Sequence, residues 1–155
     1  MRHRIESFEE VRADGHVISD DVTVDELLSR GLGIQPIVAL RWRSGDVLVE
    51  YRAPSAVFGL RVPGGEFIAV HTGEDPSGAD NRLSILNALG AEQANVSARV
   101  SFMGTEKLGF WSRLEHAWNS TEHVFGAVLS TKHDGDFLCD IDARSAEVLA
   151  VRRTR

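Results

Sequence analysis

The stretch from residue 36 to 71 constrains the fold more than any other, because its hydrophobicity alternates and then mirrors itself about two glycine-bearing turns. Period-two alternation puts successive side chains on opposite faces of a strand, so a mirrored alternation reads as a hairpin with one buried face. Pairing around Ser44-Gly45 sets Trp42 against Val47, Leu40 against Val49 and Val38 against Tyr51 on one side. The other side then carries Arg43 with Asp46, Arg41 with Leu48, and Ala39 with Glu50. A second hairpin around Gly64-Gly65 pairs Val62 with Phe67, Leu60 with Ala69 and Phe58 with His71. Both turns read as two-residue loops of the kind that glycine permits.

The flanking segments read differently. Residues 1–31 are expected to form an acidic, helical N-terminal part, since Ile5, Phe8 and Val11 recur at helical spacing before Asp14-Gly15. A second short helix follows, with Thr23 and Glu26 in a capping-box pattern, Leu27 and Leu28 on its apolar side, and Gly31 at its end. Asp80 can cap a helix over 79–90 that carries Leu83, Ile85, Leu86 and Leu89. Val96, Ala98, Val100 and Phe102 alternate with polar residues and predict a strand over 95–103. A helix over 105–119 would gather Leu108, Trp111, Leu114 and Trp118 near one face, with Gly109 weakening it. Strands return over 124–152, with a turn at Asp134-Gly135. The expectation is one α+β domain over residues 1–155. It has a mainly antiparallel sheet of about seven strands built from hairpins, and about four helices, two of them N-terminal.

Within the last strands, Asp140-Ile141-Asp142-Ala143-Arg144-Ser145-Ala146-Glu147-Val148-Leu149 resembles the final hairpin of PepSY-type domains, which usually carry glycine where Ala146 stands. The resemblance spans about a tenth of the chain. Any amphipathic hairpin with a polar turn shares it, so it assigns no family.

Charge and composition exclude several classes. Apolar residues make up 43% of the chain, enough to offset folding entropy, which excludes intrinsic disorder. The net charge of −6 has the wrong sign for a nucleic-acid coating protein, which needs Lys or Arg for each phosphate. The longest uncharged apolar run, Val124 to Leu129, is far shorter than a membrane span. Neither nucleic acid nor membrane is therefore an expected partner. No secretory h-region fits among the charges of the N-terminus, and the lone Cys139 cannot form an internal disulfide, so a cytoplasmic location is expected.

Candidate chemistry is sparse. No phosphate-binding glycine motif, nucleophile elbow or zinc framework is present, so no cofactor and no metal are expected. His71, His116 and His133 are the titratable residues to watch, His71 because the hairpin register sets it opposite Phe58 on the apolar side. Cys139 alternates with Phe137 and Ile141 and reads as core. Trp42, Trp111 and Trp118 could line an aromatic pocket or pack the core, and each needs a partner for its indole N–H. Eight carboxylates face four arginines in the first thirty residues, with Glu9, Glu10, Asp20 and Asp21 as candidate partner-binding residues.

Two functional classes fit. The first is a non-catalytic module that docks a protein partner with a basic surface through the acidic face, as a toxin-neutralising immunity protein does. The composition is also compatible with a homo-oligomer. The second is a small enzyme or ligand-binding domain, with a pocket between the sheet and a Trp111/Trp118 helix and a histidine as acid or base.

Overall fold

A computed structural model describes residues 3–32, 35–53, 56–73 and 80–154. Thirteen strands lie among them and form three antiparallel sheets. The N-terminal sheet has the order β2-β1-β3-β4 and comprises β1 (Glu6–Arg12), β2 (Val17–Ser19), β3 (Ile37–Ser44) and β4 (Val47–Arg52). The middle sheet runs in chain order through β5 (Val57–Arg61), β6 (Phe67–Thr72), β7 (Arg82–Asn87) and β8 (Glu92–Asn95). The C-terminal sheet has the order β13-β12-β11-β10-β9, from β9 (Arg99–Phe102), β10 (Thr105–Glu115), β11 (Val124–Thr131), β12 (Asp136–Asp142) and β13 (Val148–Arg153). It curls until its edge strands β9 and β13 lie against each other. There the Arg153 guanidinium sits over the rings of Phe102 and Phe137.

The α+β expectation is thereby corrected to a nearly all-β fold. The one helix among the described residues is α1 (Val24–Ser29), where Thr23 accepts a hydrogen bond from the Glu26 amide as the capping pattern requires. The other three expected helices are strands. Residues 6–12 form β1, residues 82–87 form β7 and residues 105–115 form β10. The strand expected over 95–103 begins only at Arg99.

Two physical causes produced the helical look. In β1 the register slips between Glu6 and Glu9, where Ser7 takes a φ of 50°, and in β10 it slips between Trp111 and Arg113. Each bulge inserts one residue, so Ile5 and Phe8, and likewise Trp111 and Leu114, reach the same core three residues apart. In β7 the cause is burial on both faces. Leu83 and Ile85 enter one core while Leu86 enters the other, and the resulting apolar run matches a helix as well as a strand.

Those two cores organise the molecule. One face of the middle sheet (Ala69, Leu83, Ile85) packs with Trp111, Phe125, Leu129, Cys139 and Ile141 of the C-terminal sheet. The opposite face (Val57, Ile68, Val70, Leu86) packs with Phe8, Leu40 and Trp42 of the N-terminal sheet. On that side a Cβ on Gly59 would lie 2.5 Å from Leu40 Cδ1 and 3.0 Å from Phe8 Cζ, so only glycine lets the sheets approach this closely.

The second hairpin has the expected register, with Phe58 opposite His71 and Leu60 opposite Ala69, although its loop spans residues 63–66 rather than two. In the first hairpin Trp42 pairs with Val49 and Leu40 with Tyr51, and the turn is Gly45-Asp46. The shift from the expected register is even, so no side chain changes face. Ala146, standing where the PepSY-like hairpin would carry glycine, takes the left-handed φ of 62° that favours glycine.

Candidate functional site

Strand β1 positions the feature of greatest interest. Beyond Phe8, its inward-facing side chains become Glu10 and Arg12, and the apolar seam between the sheets gives way to a groove. Helix α1 lies across this end, and Val24, Leu27 and Leu28 form one wall of a cavity of about 240 Å³. Ile18 and Ile37 line it from the strands, with Glu10 and Arg12 as its charged residues. A second concavity of about 190 Å³ shares Glu10 and Ile37 and runs on past Phe58, Leu60 and Leu114. Val24 and Leu28 are 70% and 63% exposed, a large apolar exposure for a two-turn helix at a groove mouth.

The electrostatics single out Glu10. Burial pushes its carboxyl above the usual glutamate range, and repulsion from Asp20 adds to the rise, against a smaller opposing pull from Arg12. Among the described residues its carboxylate has no hydrogen-bonding or ion-pair partner. Its neighbours do: Asp20 pairs with Arg61 at 3.1 Å, Glu26 with Arg30 at 3.7 Å, and Asp14 with His16 at 3.1 Å and Arg12 at 3.8 Å. Asp21 accepts from the Ser19 hydroxyl. The structure thus brings Glu10 and Asp20 together, while Glu9 faces away on β1, beside Arg41 in the register. On the first central hairpin Arg41 and Arg52 both hold Glu50, which keeps that carboxylate below its ordinary range.

The tryptophans separate. Trp42 is fully buried in the N-terminal core and donates its indole N–H to the Ala88 carbonyl at 2.7 Å. Trp111 is buried in the other core and donates to Val96 O at 2.9 Å. Trp118 lies in the loop after β10, 64% exposed, with the Arg152 guanidinium 4.7 Å from its ring centre. No helix joins Trp111 to Trp118, so the pocket imagined between such a helix and the sheet has no wall. The loop bearing Trp118 is held instead by the buried Asp140, which accepts the amide protons of Trp118 and Asn119.

The histidines are equally dispersed. His71 is buried, stacked on Phe58 with ring centroids 5.7 Å apart and its Nε2 3.4 Å from the Asn81 amide nitrogen. His116 is exposed after β10, and His133 is exposed in the turn between β11 and β12, beside the Lys107–Asp134 pair. Cys139 is buried against Asp140, with its thiol pushed up to about 12 chiefly by burial. That thiol stays protonated and is a poor nucleophile. No group of three His, Cys, Asp or Glu residues poised to hold a metal occurs among the described residues.

Sequence reasoning identified Glu10 and Asp20 but missed Arg12, Ile18, Leu28 and Ile37 as their companions. The available signal was a short capped helix whose apolar residues follow directly on the acidic segment. It also missed Asn81, whose amide nitrogen donates to Gly73 O and Trp111 O while its oxygen accepts from the Trp111 amide.

No protein-family model matches the chain, and no curated protein matches it in sequence. Among solved structures, a chain from one described as "Structure of Tne2 in complex with Tni2" is similar, with a TM-score of 0.88 and 24% identity. The match covers 97% of this chain and 99% of that one, which shows a common fold.

Proposed function

We propose that this chain is a non-catalytic protein-binding module of the cytoplasm, an immunity- or inhibitor-type protein that docks its partner through the acidic N-terminal face. The observation that carries the reading is the fold, similar over nearly its whole length to a chain from a solved complex of two proteins. The Glu10 carboxylate, without an ion-pair partner among the described residues and lining an apolar groove, supports it, because an interface core combines desolvated apolar contacts with a few placed polar groups. An acidic surround steers a basic partner and raises its association rate more than its affinity.

The test is complex formation with the products of genes flanking its own, followed by size-exclusion chromatography at low and high salt. A stoichiometric complex that weakens with salt, and that Asp20→Asn with Asp21→Asn associates more slowly, is the expected result. Failure of every flanking product to bind at low salt would defeat the reading.

A further inference from the structure

We infer that the groove between α1 and β1 receives a segment of the partner protein that presents an apolar side chain next to an arginine or lysine, the apolar group seated against Leu27, Leu28 and Ile37 and the cation on Glu10. The inference rests on the partner-binding reading above and specifies what that partner must offer.

Three observations lead to it. The groove is apolar and open, and α1 shows Val24 and Leu28 to solvent at its mouth, so covering it removes apolar surface from water. Its carboxylate has no cationic partner among the described residues, whereas Asp14, Asp20 and Glu26 nearby do; Asp21 and Asp25, which also have none there, are exposed, while Glu10 is partly buried and lines the groove. Finally, the charges around the groove complement a cation. Glu10, Asp14, Asp20, Asp21, Asp25 and Glu26 stand against Arg12, Arg30 and Arg61. Arg12, the groove's own cation, is buried and lies 3.8 Å from Asp14.

A purely apolar occupant would bury the Glu10 carboxylate with nothing to replace its water, a costly arrangement. An acidic occupant would add repulsion to that already exerted by Asp20. A guanidinium or ammonium on a short tether from an apolar anchor satisfies both halves of the site, and a charge-assisted hydrogen bond in a desolvated groove is stronger than one in water.

The probe is a random heptapeptide display library, panned on the full chain and on Glu10→Gln, Leu28→Asp and Trp118→Ala. Leu28 is exposed and Glu10→Gln is nearly isosteric; far-UV circular dichroism and thermal unfolding confirm that each variant is folded. The expected result is enrichment of peptides with an aliphatic or aromatic residue within three positions of an arginine or lysine. That enrichment falls about tenfold on Glu10→Gln, the scale of one hydrogen bond to a charged group, and also falls on Leu28→Asp. Trp118→Ala retains it. Enriched peptides that are acidic or lack a cation, enrichment indifferent to Glu10 and Leu28, or enrichment that depends on Trp118 would each overturn the inference. So would sedimentation showing that the chain dimerises and that Leu28→Asp makes it monomeric, since the occupant is then a second copy. A flanking-gene complex untouched by Glu10→Gln and Leu28→Asp defeats the groove and leaves the partner reading standing. Groove-dependent peptides without any flanking-gene partner do the reverse.

Discussion

The two faces of the middle sheet are covered in different ways. Against the C-terminal sheet the seam is closed by polar stitching as well as apolar packing: Asn81 pairs with both backbone groups of Trp111, and His71 joins it from β6. Against the N-terminal sheet the contact is apolar and very close, with Gly59 admitting Leu40 and Phe8, and it ends at Glu10, where the seam opens into the groove. The first face is pinned by these hydrogen bonds and has only the smaller concavity at its Leu60–Leu114 edge, while the second ends in the larger groove. Each core also has one tryptophan whose indole N–H grips the middle sheet's chain, Trp42 at Ala88 and Trp111 at Val96, on either side of β8.

That symmetry gives the largest expected effect. Trp42→Ala and Trp111→Ala should each destabilise the fold by about 3–5 kcal/mol, as deletion of a buried aromatic leaves a cavity and here also strands a carbonyl. Urea unfolding in a Trp118→Phe background, followed by far-UV circular dichroism and by the fluorescence of the remaining core tryptophan, checks the coupling. Coincident transitions mean that the shared middle sheet makes the two cores one cooperative unit; separated ones would break the comparison. Next in size is Asn81→Ala, at about 2 kcal/mol, because the Trp111 amide and carbonyl, next to the bulge of β10, both lose the side chain that they bond. Native-state hydrogen exchange should show the Trp111 amide losing protection ahead of Leu40, which lies across the other seam. Gly59→Ala follows. An added methyl at 2.5 Å from Leu40 should cost about 1–3 kcal/mol by overpacking, and Leu40→Val in the same chain should recover part of it in a double-mutant cycle.

How much of this the sequence discloses depends on whether strands keep their phase. The two central hairpins were legible because apolar residues mirror across their glycine-bearing turns and no bulge interrupts either pairing; β6, itself buried on both faces, is placed by that pairing, and the faces survived even where the first register moved. The outer strands β1 and β10 were not, because a bulge converts period two into a spacing of three over the few residues that matter. β7 was unreadable for another reason: a strand buried on both faces has no polar phase to betray it. The same physics limited the site. Glu10 and Asp20 could be chosen by charge, but the apolar walls Ile18, Leu28 and Ile37 come from three separate elements. Only the bulged β1 aims Glu10 inward among them.

Glu10 offers the smallest expected change in stability and the sharpest test of the contrast between a sealed face and an open one. Its carboxyl is held above the ordinary glutamate range, first by burial and then by Asp20, so the folded state binds a proton more readily than the unfolded chain. Between the unfolded value, about 4.3, and the higher folded one, stability therefore falls as pH rises, and the ionised carboxylate opposes folding at neutrality. Glu10→Gln removes that opposition. It should stabilise the free protein at pH 7 by less than about 1 kcal/mol, since the group keeps part of its solvent. The gain should vanish below pH about 4, where both states are protonated. Asp134, Asp142 and Glu50 shift the other way, held low by Lys107, Arg144 and the Arg52/Arg41 pair, so acid weakens the fold through them in both proteins alike. Thermal unfolding of the two proteins across this range isolates the Glu10 contribution as a difference. An equal or lower stability of Glu10→Gln at pH 7 would mean that the chain itself uses the carboxylate, and the groove would then be part of the sealed structure. A variant more stable alone yet poorer at binding is what an open site predicts, because the groove's carboxylate is then kept for a partner at the expense of the fold.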